Sequence, residues 1–138
     1  MNNALKEGDK EEDEIYRENI LDHYRNPHNS RLLKDPDISH LELNPLCGDQ
    51  IHLFLKIQNS SIHDAAFQGI GCAISQASAS MLTDRIKGMT VDHARRMGRE
   101  DIIAMLGIPI STVRMKCALL SLKALQNGIE EWRNHYGT

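Results

Sequence analysis

The sequence predicts an α+β domain in which helices pack on one face of a small antiparallel three-stranded sheet. One segment has the period-two pattern of a half-buried strand. Its apolar side consists of Ile51, Leu53, Leu55 and Ile57. A polar turn at residues 59–61 separates it from a second candidate strand at 62–68, so the two predict a hairpin. Most candidate helices follow these strands, and that order favours an α+β arrangement.

The N-terminal part contributes one helix and one short strand. Residues 1–12 are polar, charged and aperiodic, which predicts a disordered tail before a single domain at residues 13–138. A helix is expected from about Asp13 until Pro27 limits it. Its apolar face consists of Ile15, Tyr16, Ile20 and Tyr24. Residues 26–37 are predicted to be an irregular loop, and residues 40–43 a short strand.

The C-terminal half reads as helical. Cys72 opens a helix of small residues that continues to Ile86, with Gly88 as a plausible C-cap. Two short helices are predicted at residues 91–97 and 100–106. Ser111 or Thr112 caps the last long helix. The apolar stripe of that helix is Met115, Ala118, Leu119, Leu122, Leu125 and Ile129.

Composition excludes several classes of function. The chain has 138 residues, a net charge of −3 and 4% aromatic residues, so neither the basic face nor the stacking platform of a nucleic-acid-binding protein is expected. No apolar run approaches the roughly 20 residues that span a bilayer, and the acidic N-terminus does not resemble a signal peptide. We therefore expect a cytoplasmic protein without membrane or nucleic-acid partners. Three cysteines in a reducing compartment favour metal or thiol chemistry over disulfides.

The first cysteine lies two residues before a carboxylate, in Asn44-Pro45-Leu46-Cys47-Gly48-Asp49. The intervening glycine allows a tight turn, so that both side chains can face one point. Three thiolates and Asp49 form a four-ligand set of the kind that holds zinc or an iron–sulfur cluster. The alternative is an ordinary turn beside a core cysteine.

The other two cysteines lie where a thiolate is stabilised. Cys72 follows Gly69-Ile70-Gly71 at a strand-to-helix junction, where the partial positive charge of the helix N-terminus favours the anion. Cys117 lies beside Lys116, with Arg114 one helical turn earlier. Taken singly, each could instead be a buried structural cysteine. The seven histidines show no paired ligand spacing and are expected to be mostly solvated.

Four motifs together resemble the U-type iron–sulfur cluster scaffold family, the IscU, SufU and NifU N-terminal group, over about residues 15–125. The first consists of Tyr16, Ile20, His23, Tyr24 and Pro27, and the others are residues 44–49, residues 69–75 and Arg114-Met115-Lys116-Cys117. Lys116 before the third cysteine is similar to the SufU-type branch, which is associated with the SUF system. The short interval between Cys72 and Cys117 is closer to the IscU pattern.

The resemblance implies an iron–sulfur cluster assembly protein that accepts sulfur from a pyridoxal-phosphate-dependent cysteine desulfurase. It implies Cys47, Asp49, Cys72 and Cys117 as ligands of Zn²⁺ or a labile [2Fe–2S] cluster, with Cys117 and Arg114 acting in sulfur transfer. The product would pass to a downstream cluster carrier or apo-protein. Whether the chain is a zinc-dependent sulfurtransferase or a non-enzymatic scaffold stays open.

Two other classes compete with this hypothesis. A small zinc-stabilised interaction module would use the same ligands only to hold its fold, and would unfold on chelation. An enzyme with a cysteine nucleophile and a histidine base would act without metal.

Overall fold

The structure is a computed structural model that describes residues 3–46 and 48–136, with side chains described for residues 13–46 and 48–135. Within those residues the chain forms three strands and six helices, and it confirms the predicted α+β class. The elements are α1 (Asn3–Arg25), β1 (Ile38–Asn44), β2 (Asp49–Gln58), β3 (Ser61–Ile70), α2 (Ala73–Ile86), α3 (Val91–Arg95), α4 (Arg99–Leu106), α5 (Thr112–Ala118) and α6 (Leu120–Tyr136).

The sheet has the order β1-β2-β3 and is antiparallel throughout. The predicted hairpin is confirmed: Asn59 and Ser60 connect β2 and β3 with φ angles of 53° and 62°, the left-handed conformation that matches the twist of paired strands. At the other end of the sheet, Asn44 pairs with Asp49 and Gln50 pairs with Ile70. This register brings the β1–β2 turn and the C-terminal end of β3 to the same end of the sheet.

The core lies between one face of the sheet and the helices. Ile51, Leu53 and Leu55 are almost completely buried, as their alternation predicts. They belong to one apolar cluster with Leu82 of α2 and Leu125 of α6. Asp49 and the polar end of the sheet around it do not belong to this cluster. The fold therefore has a source of stability that is separate from any metal.

The predicted start of the first helix was wrong. The backbone of α1 is helical from Asn3, whereas a disordered tail was expected over residues 1–12 and a helix from about Asp13. Alanine, leucine, lysine and glutamate dominate the segment, and their high helix propensity outweighs its lack of an apolar stripe. Met1 and Asn2 lie outside the described residues, and the division into tail and domain stays a prediction.

The last long helix is two helices in the structure. α5 ends at Ala118 and α6 begins at Leu120, with Leu119 at φ −92° and ψ −3° between them. The hydroxyl of buried Ser78 donates to the Ala118 carbonyl over 2.8 Å and stands 3.3 Å from the Ser121 hydroxyl. A side chain from α2 therefore satisfies a carbonyl at the break, which periodicity in the sequence cannot reveal.

His23 is buried at 8% exposure, contrary to the expectation of a solvated histidine. His23, His28 and Asp84 place potential ligand atoms within 4.8 Å of one another. Each already has a protein partner: Ser80 Oγ lies 2.7 Å from His23 Nδ1, and Asp84 pairs with His28 Nδ1 and accepts from Asn29 Nδ2. Burial, then the neighbouring His28, lowers the pKa of His23. We interpret this cluster as a polar contact that attaches α1 and the loop after it to α2.

None of the helices in the described part of the chain is long and apolar enough to cross a membrane.

Candidate metal centre

Three of the predicted ligands converge at the end of the sheet where the β1–β2 turn lies beside the C-terminal end of β3. They are Asp49, Cys72 and Cys117. Their ligand atoms all lie within 4.8 Å of one another, although 68 positions separate Asp49 from Cys117 in sequence. With Zn–S bonds of about 2.3 Å, two thiolates on one ion stand no more than about 4.6 Å apart. The ligand atoms, within 4.8 Å of one another, are therefore near the spacing that a common centre requires.

Cys47, the fourth predicted ligand, lies outside the described residues. The backbone on either side of it is described. Gly48 N–H donates to the Asn44 carbonyl over 2.8 Å, and Leu46 N–H donates to Asn44 Oδ1 over 3.2 Å. Gly48 adopts φ +75°, a conformation that favours glycine over other residues. These bonds close the turn and return the chain directly to Asp49.

Asp49 is the first residue of β2, and its side chain is 4% exposed. Within the described residues, its Oδ2 is buried without a hydrogen-bond partner. An unpaired buried carboxylate oxygen is costly because its hydration is lost without replacement. A cation held by Asp49 and the two thiols would remove that cost. The donor set thus fits a metal ion.

Cys72 is the N-cap residue of α2 and is half-buried. Its carbonyl accepts from Gln76 N–H and from the Ser75 hydroxyl, each over 3.1 Å. These bonds hold Cys72 at the N-terminus of α2.

Gly71 is required for close approach. A Cβ atom there would lie 2.6 Å from Ser75 Oγ and 2.7 Å from both Cγ and Oδ1 of Asp49. The glycine before Cys72 therefore makes room for the carboxylate on β2. The role of Gly71 is therefore steric: it admits Asp49.

Cys117 lies in α5 and is 6% exposed. The Ser111 hydroxyl caps this helix by accepting the Arg114 N–H over 3.2 Å, as predicted. Arg114 itself is exposed in the first turn, and no ion pair joins it to Asp49 within residues 13–46 and 48–135. The role predicted for Arg114 in sulfur transfer stays a prediction.

Sequence reasoning missed the serines that support the site. Ser75 is fully buried beside Gly71, and Ser78 is buried on the same helix against the end of α5. The signal was the run of small residues at 73–80, which indicated close packing but not which hydroxyl each neighbour would meet.

Two thiols and a carboxylate on an α+β framework form a candidate metal site with two soft ligands and one harder ligand. The comparison with protein families is more specific. Residues 15–137 match the model of the NifU-like N-terminal domain, and the chain belongs to that family.

Individual relatives show both branches of this group. The chain is 41% identical over 134 residues to the zinc-dependent sulfurtransferase SufU of Bacillus subtilis, covering 85% of this chain and 90% of the relative. It is 32% identical over 118 residues to the iron–sulfur cluster assembly scaffold protein IscU 1 of Archaeoglobus fulgidus, covering 86% of this chain and 76% of the relative. A solved SUF-system scaffold structure from Fervidobacterium islandicum AW-1 superposes with a TM-score of 0.72 at 25% identity, covering 81% of this chain and 94% of the solved chain.

The two alignments differ in length in an informative way. The Bacillus alignment spans 134 positions but takes up 85% of this chain, about 117 of its 138 residues, so about 17 aligned positions have no counterpart here. The Archaeoglobus alignment spans 118 positions for 86% of the chain and needs almost no such gap. This chain therefore combines greater identity to the sulfurtransferase with the nearly ungapped alignment to the scaffold.

Proposed function

We propose that this protein accepts sulfur from a pyridoxal-phosphate-dependent cysteine desulfurase at a site of Cys47, Asp49, Cys72 and Cys117, and uses it in iron–sulfur cluster assembly. The observation that carries the proposal is the buried Oδ2 of Asp49, which has no hydrogen-bond partner among the described side chains and lies beside two converging thiols. Membership of the NifU-like family and similarity to named sulfurtransferases and scaffolds support it.

The ligand set suits a centre that must release what it holds. A carboxylate is a harder ligand than a thiolate and binds soft metals less tightly. A zinc ion bound here would keep the thiols deprotonated until they are needed. In a scaffold, a labile [2Fe–2S] cluster would be the product assembled on the same residues and passed to a carrier or apo-protein.

Sulfur transfer needs one thiolate of this chain and a persulfide of the desulfurase. The thiolate attacks the terminal sulfur of the persulfide, and a new S–S bond forms on this chain. The S–S bond of the donor breaks, and its electron pair stays on the desulfurase cysteine, which leaves as a thiolate. The step requires no external oxidant or reductant, and reduced thiols fit the cytoplasm as its compartment.

We propose Cys117 as the acceptor and Asp49 as the ligand that exchanges. Cys117 is buried, so its sulfur becomes accessible only when a neighbour moves. Four anionic ligands around a divalent ion leave a net charge of about −2, counting unit charges. Arg114, one turn before Cys117, can offset part of that charge and pair with Asp49 when the carboxylate leaves the metal.

The experiment measures desulfurase turnover, as alanine released from cysteine, with each variant as acceptor. Cys117→Ser is expected to weaken metal binding and to impair transfer together. Asp49→Ala should retain metal through the thiolates but exchange it faster. Arg114→Ala should bind metal normally and accept sulfur more slowly. Lys34→Ala, an exposed cation in the loop before β1, is the matched control for Arg114.

Wild-type turnover with both Cys117→Ser and Arg114→Ala, at full metal content, would exclude the acceptor role of α5. A zinc-stabilised interaction module predicts a different result, since its metal-loaded wild type would accept no sulfur from any desulfurase. Metal analysis and absorption spectra of protein purified with and without oxygen separate a zinc protein from a cluster scaffold.

A further inference from the structure

A second cluster of metal-binding side chains lies where α1 and the loop after it contact α2. One ring nitrogen each from His23 and His28 and one carboxylate oxygen of Asp84 lie within 4.8 Å of one another. Cys72 is the N-cap residue of α2, and Asp84 lies 12 positions further along that helix, a rise of about 18 Å. The cluster is therefore separate from the candidate metal centre.

The hydrogen bonds around His23 suit a metal-binding histidine. Ser80 Oγ lies 2.7 Å from His23 Nδ1 and accepts the backbone N–H of His28 over 2.7 Å. A hydroxyl oxygen has two lone pairs, so Ser80 can also accept a proton carried by Nδ1. That tautomer leaves Nε2 of His23 as a ligand, and metal-binding histidines are usually held through their other ring nitrogen in this way.

His28 and Asp84 supply the other two ligands. Asp84 Oδ2 pairs with His28 Nδ1, and Asp84 Oδ1 accepts from Asn29 Nδ2 over 2.8 Å. A metal ion that binds both groups takes the place of the proton between them, and its binding releases that proton. The hydrogen bond from Asn29 keeps the carboxylate oriented toward the histidine.

An ion has access to these groups although His23 is buried. The side chains of His28 and Asp84 are 49% and 43% exposed. A cavity of about 300 Å³ is lined by His23 and Asp84, and also by Arg85. Water can complete the coordination sphere of an ion from this side, while the positive charge of Arg85 opposes a cation.

We propose that His23, His28 and Asp84 form a second metal site, which binds a divalent first-row transition-metal ion of the Zn²⁺ or Fe²⁺ class. Two imidazoles and one carboxylate are ligands that these two ions share, whereas Mg²⁺ and Ca²⁺ prefer oxygen ligands alone. The ion joins α1, the loop after it and α2, and so strengthens the polar contact between them. The inference does not depend on sulfur transfer, because none of the three residues belongs to the thiol centre.

The test titrates the metal-free full chain with Co²⁺, followed by absorption, and with Zn²⁺, followed by calorimetry. We expect two ions per chain. Cobalt bound by thiolates gives an intense charge-transfer band, whereas the second ion should add only the weak bands of nitrogen and oxygen ligands. The double variant His28→Ala/Asp84→Asn should bind the second ion at least about 100-fold more weakly and leave the charge-transfer band unchanged.

The matched control is His63→Ala/Asp35→Asn, which makes the same two changes at exposed positions outside the cluster. It should bind both ions like the wild type. The melting temperature of each metal-free variant checks that the fold is retained. His28 and Asp84 are the residues to replace because both are exposed, whereas truncating the buried His23 would disturb the packing of α1.

Two further titrations test the charge and the ion. Arg85→Ala should bind the second ion more tightly, because a positive charge beside the site is removed. Fe²⁺, added without oxygen, should occupy the second site of the wild-type chain, and Mg²⁺ should bind there far more weakly.

One ion per chain in the wild type, or wild-type affinity for the second ion in His28→Ala/Asp84→Asn, would overturn the second site and leave the proposed function intact. If the double variant does not fold, Asp84→Asn alone decides, and wild-type affinity in that variant overturns the site. Equal affinity for Mg²⁺ and Zn²⁺ would also overturn it, since such an ion would be held by carboxylates and not by histidines.

Discussion

Gly71 offers a test of the metal centre that changes no ligand. In Gly71→Ala, the new Cβ would stand 2.7 Å from Asp49 Cγ and Oδ1, whereas ordinary contact begins near 3.4 Å. The carboxylate would have to retreat by roughly 0.7 Å, several times the tolerance of about 0.2 Å for a metal–ligand distance. We expect zinc affinity to fall about 10- to 100-fold, or about 1.4–2.7 kcal/mol.

The assay is a competition titration of zinc against a chromophoric chelator, with thermal melts of the metal-free protein alongside. Overpacking against Ser75 should lower the melting temperature by several degrees, since such substitutions cost about 1–3 kcal/mol. Gly98→Ala is the control, because its Cβ would meet only Glu100 Oε2 at 3.5 Å. It should leave the zinc affinity unchanged. Because Gly98 is the N-cap residue of α4, where glycine is preferred to alanine, this variant is a control for the zinc titration only.

A double-mutant cycle identifies the cause. In an Asp49→Ala background, Gly71→Ala should no longer reduce zinc affinity, because the displaced carboxylate is already absent. The melting temperature should still fall, since the clash with Ser75 Oγ at 2.6 Å remains. Unchanged zinc affinity in the single variant, or an undiminished loss in the double variant, would refute Asp49 as a ligand held in place by this glycine.

Three further predictions concern stability. Burial raises the pKa of Glu42, but hydrogen bonds from Asn127 and His40 outweigh it and leave the pKa lowered. Its stabilisation is therefore present above the unfolded pKa and is lost as the pH falls through the lowered pKa of the folded state. Urea titrations should show less acid sensitivity in Glu42→Gln, and equal sensitivity would contradict the assignment. Ser78→Ala should lower the free energy of unfolding by about 1–3 kcal/mol, because the buried Ala118 carbonyl loses the hydroxyl donor. A smaller change would mean that water replaces the hydroxyl. Chelation should leave the helical circular dichroism intact at 25 °C while lowering the melting temperature, because the residues of the candidate site are not part of the apolar core. Complete unfolding would favour a structural zinc module.

Local patterns predicted the elements well where one signal dominated. Alternation in β2, the cap at Ser111 and the turn at Asn59 each depend on a few neighbouring residues, and the structure confirms them. The start of α1 was wrong because helix propensity and amphipathic periodicity gave opposite answers there, and the sequence does not say which is stronger. The break at Leu119 was missed because the apolar stripe continues through it, and the hydroxyl that binds the Ala118 carbonyl there belongs to Ser78, 41 positions before Leu119.

By itself, the sequence indicated the candidate ligands, the glycines around them and the order of strands and helices. It indicated a shared site because three cysteines and one carboxylate lay in unusual surroundings, not because any spacing fixed a distance. Only the tertiary structure decided that Asp49, Cys72 and Cys117 meet and that Gly71 makes room for the carboxylate. The physical reason is that sheet register and helix packing set distances between residues far apart in the chain, and those contacts leave no periodic signal in the sequence.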